Sequence, residues 1–467
     1  MSHRYLRLRM GLALLSLVVA CGGDDPNFPK RPPLADQWLE RAKQSYKSGD
    51  FEDAKTSADA AFQVAPKDPE VRLMKGRVAL ASLEFADAAK LTQQLDSLEA
   101  KQIRGRAHWY SGDFDAAADD LEAVALDPKV KDNWAREIAK LARQGNGRKP
   151  FALEGQPVGA VEMPQAGPAL VVPCELEGEQ ILALVATGVS ELIIDSASRK
   201  EPAWVQVKFG GLEIRDVPAL TQDLSALAKQ YGGPIKALIG VNLLRKAHAT
   251  FDRRGSQFVV RKEDAGAPPD AVKVPLYYVR GGGLTLRASV ARDGSRSPFL
   301  VDTTVIYPLA LEDATTKKAG IDPASLRTDP QAPPNMRIGR LSGFRFGGFE
   351  IPDVDFVQGK MQEDARANVD VDMGGVIGAG MLAPFRVTFG DDGRYAYFEP
   401  DPTLDMQRRE QQRQPPTGID TGPKTPPPAG TAAPKPGAKP PAAPAGTNAP
   451  KSAPPAPAGT AAPAGKK

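Results

Sequence analysis

The spacing of apolar and polar residues changes several times along the chain, and each change predicts a different structure. Residues 10–20, "MGLALLSLVVA", form a largely apolar run of eleven behind a basic start that carries Arg4, Arg7 and Arg9. A permanent membrane-spanning helix needs about 20 apolar residues, so the run reads as an export signal. From Leu34 to about Gln144 apolar residues and alanines recur at the spacing of amphipathic helices. "SGDF" at 48–51, "SLEF" at 82–85 and "SGDF" at 111–114 punctuate this stretch at intervals of 34 and 29 residues. Ala54, Ala88 and Ala117 fall at matching places, as do Gly76 and Gly105, where a small residue lets paired helices touch. About three helical pairs are expected, with a capping helix around Trp134–Ala142. A lone pair cannot bury its own apolar face, so the pairs must stack.

From Phe151 onward the pattern shortens to alternating runs broken by Gly and Pro, which predicts β-strands. This region repeats itself. "FGGLEIRDVP" at 209–218 returns as "FGGFEIPDVD" at 346–355, and "LIGVNLLRKAHATFDRRG" at 238–255 returns as "VIGAGMLAPFRVTFGDDG" at 376–393. "LVATGVS" at 184–190 returns as "LVDTTVI" at 300–306. Three matched blocks in one order predict two homologous lobes. The second copy is longer, with "PLALEDATTKKAGID" at 308–322 expected to be an amphipathic helix and any flap expected near Ala332–Met336.

Composition narrows the chemistry. With Cys21 ending the apolar run, Cys174 is the one other thiol in 467 residues, so stability must come from packed cores. A formal charge of +3 gives no argument for nucleic acid. The three histidines, His3, His108 and His248, show no zinc spacing, and neither a phosphate loop nor a G-x-S-x-G elbow occurs. No cofactor is expected. "GGDDPNFPKRPP" after Cys21 reads as a polar spacer. From about Gln411 the chain is mostly Pro, Ala, Gly, Thr and Lys, with too few large apolar residues to fold. That tail reads as a solubilising spacer or a cationic tether along the cell wall.

Three resemblances extend this account. "VVAC" at 18–21 resembles the lipobox of bacterial lipoproteins, which implies cleavage before Cys21, lipidation of Cys21, and a membrane anchor in the cell envelope. Gly22 after the cysteine implies the outer membrane, facing the periplasm. The helical region resembles a tetratricopeptide array, which implies a protein partner on its face or a role as spacer. The blocks from 151 to 400 resemble retropepsin-like and pepsin-like aspartic peptidases, whose strand-borne D-T-G loops pair across two lobes.

The resulting expectation is a multidomain α plus all-β chain: signal peptide 1–20, tether 21–33, tetratricopeptide-like array 34–148, two retropepsin-like β-barrel lobes at 151–265 and 270–402 forming a bilobal pepsin-like unit, and a disordered tail 411–467.

The peptidase resemblance implies a catalytic loop at Asp302, Thr303 and Thr304, with a degenerate counterpart at Ala186, Thr187 and Gly188. In that family two aspartates share one proton, because adjacent carboxylates do not both ionise cheaply. One draws a proton from water while the other donates to the substrate carbonyl. Ala186 does neither. Asp302, without a like-charged neighbour, is expected to fall back to an ordinary acid of pKa about 4. Thr304, where the family has glycine, is expected to disturb the loop that brings backbone N–H groups to the carboxylate. The preferred function is a lipid-anchored adaptor that binds an extended peptide or protein without cutting it. The alternatives are an aspartic endopeptidase using Asp302, either as a dimer or with an unusual single carboxylate, and a helical-repeat scaffold with merely structural β lobes.

Overall fold

Local turn chemistry fixes the helical region. In the computed structural model of the chain, seven helices among the described residues precede the first strand: α1 (Pro33–Lys47), α2 (Phe51–Val64), α3 (Pro69–Ala81), α4 (Phe85–Thr92), α5 (Leu98–Ser111), α6 (Phe114–Leu126) and α7 (Asn133–Arg143). Side chains at the N-caps satisfy amides that the first turn leaves orphaned. Asp50 accepts from the Asp53 N–H at 3.2 Å, Asp68 from Glu70 and Val71 at 3.0 Å, and Ser97 from Ala100 at 3.2 Å. The "SGDF" turns place Gly49 and Gly112 at φ of 72° and 81°. In the degenerate "SLEF" turn Leu83 adopts φ of 61°, a left-handed conformation that costs a residue with a Cβ roughly 1–2 kcal/mol. Its side chain packs against the β core, which offsets that strain.

The structure describes residues 31–130, 132–279, 282–290, 294–328, 336–359 and 369–400. All lie in one of the chain's two compact units, residues 1–412, and none in the other. The expected signal peptide, Cys21, most of the tether, the tail and all of the proposed flap except Met336 therefore lie outside the described residues. No described helix is long and apolar enough to cross a membrane.

The first β half contains β1 (Ala152–Gly155), β2 (Val158–Glu162), β3 (Val171–Leu176), β4 (Glu179–Val185), β5 (Leu192–Asp195), β6 (Ala203–Phe209), β7 (Leu212–Gln222), α8 (Ser225–Tyr231), β8 (Ile235–Ile239), α9 (Val241–Lys246), β9 (Thr250–Asp252) and β10 (Gln257–Arg261). The second contains β11 (Val272–Pro275), β12 (Tyr277–Tyr278), β13 (Leu284–Ser289), β14 (Ser297–Val301), β15 (Leu309–Leu311), α10 (Asp313–Lys318), β16 (Arg327–Thr328), β17 (Arg337–Leu341), β18 (Phe344–Phe346), β19 (Phe349–Ile351), β20 (Val354–Gln358), β21 (Gly375–Ile377), α11 (Ala379–Leu382), β22 (Phe385–Gly390) and β23 (Tyr395–Pro400).

Strands of the first half run in the order β1-β7-β5-β8-β4-β3-β6, and β6 pairs again with β7, which closes the sheet on itself. Here β4 runs parallel to β8 and β5 parallel to β7, so β8 lies between the two strands that the loop after β4 connects. The second half pairs β14 parallel to β21 and β15 parallel to β20. The quoted blocks fall on these elements: each "FGG" turn joins a hairpin (β6–β7, β18–β19), and each "IG" leads from a strand into a short helix (β8–α9, β21–α11). A six-stranded sheet, β11-β23-β22-β9-β10-β2, takes three strands from each half. At its centre the Thr250 and Thr388 hydroxyls are 2.9 Å apart.

One element departs from expectation. "LAL" at 309–311 is strand β15, and the helix after it runs only from Asp313 to Lys318. The apolar residues that suggested a longer helix are used instead to pair with β20 and β21, a case of tertiary pairing overriding local spacing.

The helical array lies against both β halves. Phe51 stacks on Tyr277 with ring centroids 4.6 Å apart, and Arg287 pairs with Asp50 at 2.7 Å. At the other end Trp204 packs between Trp109 and Phe114 (5.6 and 5.4 Å) and donates to the Leu141 carbonyl at 3.0 Å. Between them the helix pair α5–α6 closes over Gly105, where an added Cβ would meet Leu121 at 2.9 Å. Gly105→Val should therefore lower stability by about 1–3 kcal/mol through overpacking, read as a drop in thermal midpoint. An unchanged midpoint would show that the helices are not in close contact there.

Candidate functional site

The two loops that follow β4 and β14 meet at the centre of the β body. Each is tied at its base by an equivalent bond: the Ala186 N–H donates to the Ile239 carbonyl and the Asp302 N–H to the Ile377 carbonyl, both at 2.9 Å. Two buried threonines then lock one loop to the other. The Thr187 hydroxyl donates to the Val301 carbonyl at 2.7 Å, and the Thr303 hydroxyl donates to the Val185 carbonyl. Each hydroxyl also accepts the other threonine's backbone N–H at 3.2 Å. Both residues are essentially inaccessible to water, at 1% and 0% exposure, so each bond must be made within the protein.

This lock brings the sequence-predicted residues together. Ala186 is fully buried, and Asp302 sits partly exposed beside the backbone of Gly188. A Cβ on Gly188 would fall 2.6 Å from the Asp302 Cγ and 2.7 Å from Oδ2. A side chain at 188 would therefore have to push the Asp302 carboxyl aside. Among the described residues, no carboxylate shares a hydrogen bond with Asp302.

Two expectations about this acid are corrected. Thr304 does not keep the amide away: its N–H donates to Asp302 Oδ1 at 2.9 Å, and its hydroxyl adds a second bond to the same oxygen at 2.7 Å. The loop takes threonine because φ at 304 is not among the left-handed values. Nor does Asp302 behave as an ordinary acid. Although the residue keeps some contact with solvent, dense protein around the carboxyl raises its pKa, against the lowering pull of the two Thr304 bonds. Losing a like-charged partner removes one upward influence, but desolvation supplies another.

Pattern reasoning missed three residues. Tyr231, at the end of α8, donates to the Thr304 carbonyl at 2.6 Å, and burial together with the Asp302 charge pushes its pKa up to about 12. Glu191 is 2% exposed and ties the Ala186 loop to the helical array. It accepts from Trp134 Nε1 at 2.8 Å, Trp109 Nε1 at 3.4 Å and Asn242 Nδ2 at 3.3 Å, and from the Ser190 hydroxyl. Burial raises its pKa despite these donors and the nearby Arg106 charge. Arg106, nearly buried on α5, is the third. A sequence signal existed for Glu191 alone, as an acid opening the apolar run "LIID". Cys174 lies buried in β3 with its thiol pushed up to about 12 by desolvation, far from a reactive thiolate.

Neither a protein-family profile nor a curated protein matches the sequence. Among solved structures, the chain is similar to basic 7S globulin from soybean, at 11% identity and a TM-score of 0.37 over 55% of this chain and 97% of that one. It is also similar to an aspartic proteinase from Irpex lacteus, at 12% identity and a TM-score of 0.36 over 52% of this chain and 97% of that one. The Arabidopsis OM64 TPR domain matches 24% of this chain and 95% of its own length, at 17% identity and a TM-score of 0.22. The chain's own hydrogen bonding shows a helical N-terminal region followed by β-rich halves, the first with a sheet closed on itself.

Two outcomes follow from the site. Thr187→Val strands the Thr303 N–H and leaves the Val301 carbonyl short of a donor, at roughly 1–3 kcal/mol for each buried group; denaturant unfolding should show the loss, and a loss no larger than that of a surface Thr→Val change would contradict the lock. For Asp302 the sign runs against the acid. A folded-state pKa above the unfolded value means stability is greatest below about pH 4 and falls as pH rises toward the raised value. Asp302→Asn should therefore gain thermal midpoint relative to the parent as pH rises through that window, with little difference on the acid side. A pH-independent difference would contradict the raised pKa.

Proposed function

We propose that this chain is a lipid-anchored protein of the bacterial cell envelope whose β body holds an extended peptide or protein segment without cutting it. The observation that carries the reading is the single acid. Cleavage by the mechanism of the resembling peptidases needs two carboxyls in the same step, but the matching position of the other loop holds Ala186, buried in an apolar cluster, and what lies against the Asp302 carboxyl is the backbone of Gly188. Asp302 is bonded through Oδ1 to its own loop, which suits an acid that shapes a groove. Strand addition draws affinity from main-chain hydrogen bonds and asks nothing of a dyad.

The two β halves are read here as copies forming a bilobal unit. Support comes from the matched blocks, the paired crossovers of β4 with β8 and β14 with β21, and the central sheet with three strands from each half. The anchor rests on "VVAC" at 18–21, with Cys21 lipidated and the body facing the periplasm from the outer membrane. The helical array serves a protein partner. The reading calls for neither nucleic acid nor cofactor. An endopeptidase built by dimerisation is disfavoured, because a second Asp302 would have to reach a carboxyl already in contact with Gly188 of its own chain.

The test is incubation of the purified protein with a diverse peptide pool from acid to neutral pH, followed by mass spectrometry of bound and free fractions. Peptides retained on the protein with both ends intact are expected. Cleavage that disappears in Asp302→Asn would overturn the proposal.

A further inference from the structure

The turn between α5 and α6 and the start of the β body enclose a cavity of about 180 Å³. For scale, an apolar void of roughly 150 Å³ holds a benzene ring. Five aromatic side chains line this one: Trp109 and Tyr110 at the end of α5, Phe114 at the start of α6, Phe151 just before β1, and Trp204 on β6. Trp109 and Phe114 are buried, whereas Tyr110, Phe151 and Trp204 keep some contact with solvent. Both indole N–H groups are already bonded, that of Trp109 to Glu191 and that of Trp204 to the Leu141 carbonyl, so these rings offer carbon faces. Ser111 and Gly112, both exposed, lie along the same cavity and leave it open to water. Water against carbon is poorly held, and replacing it with an apolar ring gains affinity.

Charge adds a second requirement. The charged residues lining the cavity are both cations, Arg245 and Lys246 of α9. They share one acid, Asp392, which does not line the cavity and is itself half-exposed. Lys246 Nζ reaches it at 2.9 Å, while Arg245 Nη1 stands 3.4 Å away and gives its Nε to Asn242 at 2.9 Å. Arg245 is buried, and a buried cation is stabilised only by close, hydrogen-bonded counter-charge. Glu191 is engaged by Trp109, Trp134 and Asn242 and does not line the cavity either. Two cations thus divide one carboxylate beside an open aromatic wall.

We propose that this cavity is a binding site for a small single-ring aromatic carboxylate, whose ring lies among Trp204, Phe151 and their neighbours and whose carboxylate meets Arg245 and Lys246. A charged ligand without a ring would leave the carbon faces wet. A ring without a charge would leave two cations on one acid. Because the walls come from α5, α6 and the first β half, the occupant ties the helical array to the β body. Neither Asp302 nor Ala186 takes part, so the proposal stands or falls apart from the reading of the β body.

The test follows para-fluorobenzoate by its fluorine NMR line width as the purified full chain is added, with para-fluorobenzamide as the ring without the charge and trifluoroacetate as the charge without the ring. The benzoate should bind with a Kd of about 1 mM or tighter, within reach of a ligand of its size, and each control about tenfold or more weaker. Arg245→Met would remove the buried cation but also strand Asn242 and Asp392, so the charge is tested at the half-buried neighbour: Lys246→Gln should weaken benzoate binding by about tenfold, as the loss of one charge-assisted hydrogen bond requires. Ser111→Trp, a change at an exposed position, fills the cavity with a bulky side chain and should abolish binding. The proposal is overturned if the parent leaves the benzoate line unbroadened, if the amide binds as tightly as the acid, or if either variant binds the benzoate with the parent's affinity.

Discussion

The reciprocal bonding of Thr187 and Thr303 is the constraint from which the centre of this molecule follows. Two hydroxyls, each donating to a carbonyl of the opposite half and accepting an N–H from it, leave no freedom for the loops after β4 and β14 to move separately. Because both threonines are buried, water offers no substitute partner, and opening the pair strands several polar groups together. Everything attached to those loops is held by consequence: Asp302 against Gly188, Ala186 in the core, and Glu191 under the helical array. The lock is independent of the residues that would do chemistry.

The electrostatics of Asp302 are set by its own surroundings. In a pair, the raised pKa of one member comes from its neighbour's charge. Here the same direction of shift arises from burial, while Thr304 supplies an amide and a hydroxyl that favour the ionised form. An elevated pKa at such a position is thus no sign of a working dyad. It records how crowded the carboxyl is. The physical difference lies in what a proton transfer would need: a second group to receive or give the proton in the same step, which Ala186 does not provide.

The helical array is coupled to the β body by contacts of two kinds. Apolar ones at its ends, Phe51 on Tyr277 and Trp204 between Trp109 and Phe114, set position through area and ring geometry. Polar ones nearer the centre, Glu191 among two indoles and Asp370 under Tyr46, set register because buried polar groups tolerate few arrangements. Glu191 lies three residues from Gly188, so the array touches the same loop that carries Ala186 and Gly188.

The sequence by itself determined the order of the parts and much of the candidate site. Helical spacing and the "SGDF" turns located the array, because capping and turn chemistry are local. The repeated "FGG" and "IG" blocks located the hairpins and the strand-to-helix turns, and the "TG" and "DTT" motifs located Thr187, Gly188, Asp302 and Thr303, since motif order survives where overall similarity is thin. Tertiary structure alone decided the rest. Whether 309–311 became helix or strand depended on β20 and β21, segments far along the chain. The pKa of Asp302 depended on the density of atoms around it, the role of Thr304 on a hydroxyl rotamer, and the partners of Glu191 and Arg106 on helices that sequence spacing could not orient toward a barrel. These are all effects of distance in space, and pattern along a chain records only distance in sequence.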